Sequence, residues 1–303
     1  MTPTAELADI VLPIASCFER EALKIGFEIN VEAQSLVQLR QALVPPPGEA
    51  RADTDFIFEL ATRLGLGEHF WHGDVDAAYR HQLGPSGVTL EELRAEPAGR
   101  RVALTARYAK HADLDARGNA RGFATPSRKI EFWSETFLEH GYAALPDFVE
   151  PRLSPVAQPE LVARFPLVLT CAKPTLFCQS QHRALASLRK GAPDPQIDLH
   201  PLAAAKRGIT AGRWVEVETP AGGLRARARL NDKLDPRVVV GEHGWWQACE
   251  ALGVSGYDPF SSKGANFNGT VDATIRDPIG GTPTHRANLC EVRLANAAPT
   301  ARP

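Results

Sequence analysis

Apolar and polar residues alternate over 213–219 (RWVEVET) and again over 224–230 (LRARARL). A period of two predicts half-buried strands, and Pro220-Ala-Gly-Gly between them predicts a hairpin turn. Residues 166–171 (PLVLTC) and 237–241 (RVVVG) predict two more short strands. Pro201 can open a short helix over 201–207 that Gly208 ends. Many short strands with little helix predict a mostly-β domain, a small barrel, over 165–296. The pattern upstream is different. Ile10-Val11-Leu12, closed by Pro13, reads as a short strand entering a loop. Pro45-Pro46-Pro47-Gly48 is a hard break. Beyond it Phe56, Ile57, Leu60, Ala61 and Leu64 recur at helical spacing. They predict a helix with one buried face, capped by Asp53 or Thr54 and ended at Gly65. Residues 66–125 predict an irregular excursion with one helix near 90–94. A turn and an extended segment follow over 125–133, then a short helix around 135–140. Residues 1–150 therefore read as α/β or α+β material, an α/β partial domain being the first choice. Pro151, Pro155 and Pro159 mark a semi-rigid linker over 151–164, and 297–303 reads as a disordered tail.

Composition narrows the function classes. Hydrophobic residues make up 44% of the 303 and charged residues 23%, which excludes a disordered or collagen-like chain. A formal charge of −2 gives no overall pull toward nucleic acid or an anionic membrane. No apolar run approaches the roughly 18 residues of a membrane span, so direct membrane insertion is not expected. Glu6 and Asp9 stand where a secretory leader would carry basic residues. The five cysteines form no CxxC pair, which argues against a disulfide scaffold or a zinc ribbon.

Candidate chemistry lies mainly in three polar clusters of the second half. Residues 173–183 (KPTLFCQSQHR) directly follow a predicted strand and carry Lys173, Ser180, Gln181, His182 and Arg183. Cations and directional donors at a strand's C-terminal end suit an anionic polar ligand, although a polar surface loop is the plainer reading. Gly241-Glu-His-Gly-Trp-Trp246 could line a slot for a flat heterocycle, or belong to the core. In 261–270 (SSKGANFNGT), Asn266 and Asn268 could read heterocycle edges, or sit in an ordinary loop. Three such clusters in one small barrel favour a large polar ligand. No phosphate-loop, dinucleotide-fold, HExxH or GxSxG motif is present. His69-Phe-Trp-His72-Gly-Asp74 has metal-type residues without helical ligand spacing, and an aromatic loop is its plainer reading over a metal hydrolase.

The ordered set of segments resembles the C-terminal part of the molybdopterin-dependent oxidoreductases of the dimethyl sulfoxide reductase family. The resemblance rests on Thr4-Ala5-x-x-Ala8-Asp9-Ile10-Val11-Leu12-Pro13, Glu19 or Glu21, Asn30-x-Glu32 and Pro47-Gly-Glu-Ala-Arg51. It continues with Phe123-x-Thr125-Pro-Ser-x-Lys129-Ile-Glu131 and Ile197-x-x-His200-Pro201-x-x-Ala204. It ends on Arg207-Gly208-Ile209-x-x-Gly212-x-x-Val215-x-Val217 with Gly222-Gly223. The resemblance implies a truncated α/β oxidoreductase domain over 1–150 and a dinucleotide-binding double-psi β-barrel over 165–296. It also implies a molybdopterin guanine dinucleotide cofactor carrying molybdenum or tungsten. The cofactor-binding residues it implies are Thr170, Lys173, Ser180, Gln181, His182 and Arg183. Later in the barrel it implies His243, Gly244, Trp245, Asn266, Asn268 and Arg286.

The chain departs from the family pattern at Gly26-Phe27 and at Ala33-Gln34. Nothing in it resembles the family's cysteine-rich iron–sulfur segment or its metal ligand, and Cys17 reads as a packing cysteine. No catalytic or metal residue is therefore named. The expectation is the cofactor-binding portion of an oxidoreductase that transfers an oxygen atom or a hydride in the complete enzyme. By itself the chain would be inactive, the product of a truncated gene, a split gene or an internal start codon. Its partners would be a missing N-terminal half or an electron-transfer subunit, with no nucleic acid. The alternative is a pterin-cofactor binding module without catalysis, or an inactive gene fragment. The compartment stays open between cytoplasm and periplasm.

Overall fold

A computed structural model describes residues 1–26, 28–104 and 107–302; the departure at Phe27 lies outside the described residues. The chain forms two compact units, one of Ile10–Leu145 and one of Pro146–Pro303 joined by Met1–Asp9. The short helix α1 (Pro3–Glu6), capped by the Thr2 side chain, belongs to the latter. There Glu6 pairs with Arg302.

In the Ile10–Leu145 unit, β1 (Ala22–Lys24), α2 (Val31–Gln34) and β2 (Leu36–Arg40) come first. Next are α3 (Asp53–Arg63), α4 (Val75–Leu83), α5 (Leu90–Ala95), β3 (Arg100–Arg101) and α6 (Glu135–Glu139). β2 is the middle of a three-stranded sheet and pairs antiparallel with both neighbours. Of α/β and α+β, the described strands of this unit show the second, because the β1–β2 connection is too short for the crossover a parallel pair needs. Val37 and Leu39 point from β2 onto Tyr79 and Leu83 of α4 and Leu90 and Leu93 of α5. The Thr89–Glu92 capping box starts α5 where it was expected. The sequence reading missed α4, although Asp74 caps it and Val75, Ala78, Tyr79 and Leu83 share one face.

Two apolar segments are not buried as expected. The helix α3 forms, but only Ala61 on it is buried, and Ile57, Leu60 and Leu64 are exposed. Its N-cap is Ala52, with no side-chain cap. Ile10-Val11-Leu12 forms no strand and is exposed, because no other described strand offers it a ladder. Cys17 is exposed rather than packed, since it sits in the turn that Ser16 and Glu19 close. Leu93→Ala should accordingly cost about 2–5 kcal/mol. Leu60→Gln should stay within about 0.5 kcal/mol of the parent. Urea unfolding followed by circular dichroism checks both, and a large loss for Leu60→Gln would mean that this face is covered.

In the other unit the strands are β4 (Leu167–Ala172), β5 (Gln196–Leu199), β6 (Trp214–Thr219), β7 (Gly222–Leu230), β8 (Val238–Glu242) and β9 (Asn288–Leu294). The helices α7 (Ala186–Arg189) and α8 (Pro201–Ala205) flank β5. The strands close a barrel in the order β4-β8-β5-β7-β6-β9. Leu169, Ile197, Val215, Val217, Val239 and Val292 fill its interior with essentially no exposure. The alternation over β6 and β7 is what the sequence predicts, and β5 and β9 are additional strands.

The expected linker and tail are both docked. Ser154 Oγ accepts from Val156 and Ala157, Leu153 O accepts from Leu289 N at 3.1 Å, and Phe165 is buried. In the tail, Thr300 N donates to Lys263 O, Arg302 N donates to Gly256 O, and Ala301 bridges Tyr257. Backbone groups paired in this way replace the solvent bonds that a free segment would keep.

Candidate functional site

β4 runs parallel to β8, with Ala172 level with Glu242, so both strands end at the same end of the barrel. β6 points the same way because it pairs antiparallel with β9, which pairs antiparallel with β4. The loop after β4, the loop after β8 and the β6–β7 turn therefore emerge together, beside the start of β9. Residues 266–270 join them. Thr219 Oγ1 donates to Thr270 O at 2.9 Å, and a Cβ on Gly222 would lie 2.4 Å from Gly269 O. The three polar clusters named from the sequence thus share one end.

Arg183 is the fastener of this end. It has no exposed surface. Its Nη2 donates to His243 O at 2.6 Å and its Nη1 to Gln179 O at 3.0 Å. Its backbone N–H donates to the Gln247 side chain at 3.0 Å. The guanidinium lies 4.5 Å from the Phe177 ring centre and 4.9 Å from that of Trp245. Burial pushes its pKa down to about 10. Arg189, also fully buried, covers the same indole at 4.9 Å and donates to Pro193 O, Arg183 O and Gln247 O. Gly244, at φ +91°, is required: a Cβ there would lie 2.8 Å from the Arg183 Cζ. Trp245 Nε1 donates to Glu242, whose carboxyl burial holds above the ordinary carboxylate range.

Five buried polar atoms near this end have no partner: Arg183 Nε, Arg189 Nη2, His243 Nε2, Trp246 Nε1 and Asn288 Oδ1. Lys173 and Arg286 are exposed cations at the same end. Thr170 is half-buried on β4, and Ser180, Gln181 and His182 follow in its loop, with His182 at φ +72°. Asn268 is exposed, whereas the Asn266 amide is spent within its own loop on Pro259 O and Asn268 N. Arg183, Trp245 and Asn266 therefore shape the loops from inside instead of facing outward. Sequence reasoning missed Arg189, His285 and Asn288. Arg189 and Asn288 carry no local signal, because it is their burial that singles them out.

Burial, followed by the positive charges of Arg183, Lys173 and His285, lowers the His243 pKa below 6.5. In the range between that lowered value and 6.5 the unfolded chain binds this proton more readily than the folded one. Stability carried by neutral His243 is present above pH 6.5 and is lost as pH falls through the lowered value. Melting temperature should fall less steeply on acidification in His243→Gln than in the parent. Parallel pH profiles would mean that His243 titrates freely.

Among the described residues no three His, Cys, Asp or Glu side chains are grouped to hold a metal ion. In the 69–74 motif, Asp74 Oδ1 is occupied by Ala77 N, and Trp71 stacks 6.2 Å from Phe58.

Residues 167–289 match the molydopterin dinucleotide binding domain, and residues 1–63 match molybdopterin oxidoreductase. The chain belongs to the molybdopterin oxidoreductase family. It is 34% identical over 249 residues to the acetylene hydratase of Syntrophotalea acetylenica, covering 81% of this chain and 32% of that protein. It is 27% identical to the dimethyl sulfoxide/trimethylamine N-oxide reductase of Cereibacter sphaeroides, covering 82% of this chain and 32% of that one. The solved acetylene hydratase of Pelobacter acetylenicus superposes with a TM-score of 0.76 at 30% identity, over 97% of this chain and 39% of its own. The chain thus spans about a third of the length of the curated relatives it matches. The dinucleotide-binding match covers all three polar clusters.

Proposed function

We propose that the barrel unit holds a molybdopterin guanine dinucleotide, carrying molybdenum or tungsten, across the end where the three loops emerge. The observation that carries this reading is the set of buried, unpartnered polar atoms at that end, with His243 Nε2, Trp246 Nε1 and Asn288 Oδ1 among them. Each of these three would gain a partner from a polar heterocyclic ligand. Lys173 and Arg286 supply charge for its phosphates, with Ser180, Gln181, His182 and Asn268 as directional contacts. Arg183, Trp245 and Gly244 hold the two loops in place. The barrel, on this reading, has double-psi topology. When bound, the metal–pterin group supplies two-electron chemistry, oxygen-atom or hydride transfer. The metal ligand and any iron–sulfur cluster would come from polypeptide outside the described residues, a further part of the enzyme or an electron-transfer subunit.

The test is to purify the full chain from a host that makes this cofactor. The extract is oxidised, and its pterin fluorescence, released GMP and bound metal are measured. Pterin and GMP in near-equal amounts are expected, reduced several-fold in Lys173→Ala/Arg286→Ala. A preparation free of both would sink the proposal.

A further inference from the structure

Residues 100–129 hold eight Lys and Arg against two Asp, in a chain of formal charge −2, which leaves the other residues at −8. The stretch 110–129 is folded and not a loose charge run. Arg121 N donates to Asp113 O at 2.7 Å and Gly122 N to His111 O at 2.9 Å, and Leu114 bridges Ala120. The His111 and Phe123 rings stack at 4.7 Å, and Phe123 N donates to Arg128 O. Gly122, at φ +71°, lets these turns touch, since a Cβ there would lie 2.7 Å from the Arg128 Cβ. The acids of the stretch are spent inside it. Asp113 pairs with Arg107 at 2.8 Å, and Asp115 Oδ1 accepts from Arg117 N and Asn119 N. Those N–H bonds, then the charges of Arg128 and Arg121, hold the Asp115 carboxyl low, which puts both guanidiniums near it. The cations are not spent. Lys110, Arg117, Arg121, Arg128 and Lys129 are exposed, and their side chains make no ion pair or hydrogen bond among the described residues.

These five cations form a positive patch on a chain that is net negative elsewhere. Among polyanions, a protein face suits it best. A nucleic acid or an anionic membrane extends past the patch and meets the net negative remainder. Binding along a membrane surface also uses a long amphipathic helix, and the described helix here is the single turn Lys110–Ala112. Tyr108 and Phe132, at the two ends of the stretch, are 85% and 80% exposed, and aromatics beside arginine are typical of protein contacts. A patch this short spans a small interface, the size class of brief electron-transfer encounters, whose rate oriented charge raises.

We propose that residues 107–132 are a docking surface for the acidic face of a small electron-carrier protein, steered by Lys110, Arg121 and Arg128. The choice of an electron carrier rests on the oxidoreductase reading above, whereas the acidity of the partner rests on the patch alone.

Surface plasmon resonance on the full chain tests it with a plant-type ferredoxin and a flavodoxin, both strongly acidic, and with cytochrome c, a basic carrier. At least one acidic carrier is expected to bind, about tenfold more weakly when salt rises from about 20 to about 200 mM, and cytochrome c is not. Arg121→Glu/Arg128→Glu should weaken that binding by about tenfold or more. Lys110→Gln/Lys129→Gln should weaken it in the same direction, and serves where the glutamate variant does not fold. Arg213→Glu/Lys233→Glu, an equal charge reversal on the barrel unit, should change it less than about threefold. The proposal is overturned if neither acidic carrier binds, or if the barrel-unit reversal weakens binding as much, which makes net charge the cause. It is also overturned if duplex DNA or phosphatidylserine vesicles bind more tightly and lose that binding in Arg121→Glu/Arg128→Glu. Pterin and GMP released from the same preparation report on the cofactor separately. Carrier binding without them upholds this surface while the cofactor site falls.

Discussion

Trp245→Ala lowers the stability of the barrel unit by about 3–5 kcal/mol, the usual cost of removing a buried tryptophan side chain. The expectation rests on more than volume. The indole is 1% exposed, meets the Phe177 ring edge-on at 5.7 Å, and lies 4.9 Å from each of two buried guanidiniums, Arg183 and Arg189. Without it Arg189 loses its cation–π partner, Arg183 keeps only Phe177, and Glu242 loses a hydrogen-bond donor, so less well-paired charge is added to the cavity. The loops after β4 and β8 should loosen together. Urea unfolding followed by far-ultraviolet circular dichroism gives the stability, and amide exchange over 177–189 and 243–247 gives the local effect. A loss under about 1 kcal/mol, with exchange unchanged, would show that the stack does not hold these loops.

Phe267→Ala should cost a similar amount, about 3–5 kcal/mol, by a different route. Phe267 is 2% exposed and part of the barrel core. It packs so closely on Gly241 that a Cβ there would lie 2.8 Å from the ring. It therefore anchors the 266–270 loop to β8, while Thr219 and Thr270 fasten the same loop to the hairpin. Removing the ring leaves only the second attachment. Faster amide exchange over 266–270, with the loops after β4 and β8 unaffected, is the expected pattern. Faster exchange at all three loops would mean that the end of the barrel opens as one unit.

Much of the fold is legible in local pattern. Alternation in RWVEVET and LRARARL gave the hairpin, and the helical spacing from Phe56 to Leu64 gave α3. The threonine–glutamate pair ahead of Leu93 marks α5. The errors come from what pattern omits. An apolar face such as Ile57, Leu60 and Leu64 states a preference for burial, but not which surface, if any, covers it. Ile10-Val11-Leu12 has strand propensity, yet a strand needs a neighbouring ladder. The proline-spaced segment 151–164 lacks periodicity because turns and single backbone bonds hold it.

The candidate site divides in the same way. Residue types and order along the chain, Lys173 and His182–Arg183 after one strand, His243–Trp245 after another, Asn266 and Asn268 later, determined which clusters could meet a polar ligand. They also determined the family resemblance that the matches bear out. Only the tertiary structure decided that the three clusters share one end, because strand direction in a closed barrel is fixed by pairing between segments far apart in sequence. It alone separated the arginine that holds loops from the lysine that can reach a ligand, since side chains of like charge differ in role once one is fully buried. It alone brought forward Arg189 and Asn288, because an unpartnered polar atom is a property of surroundings assembled from several strands and loops.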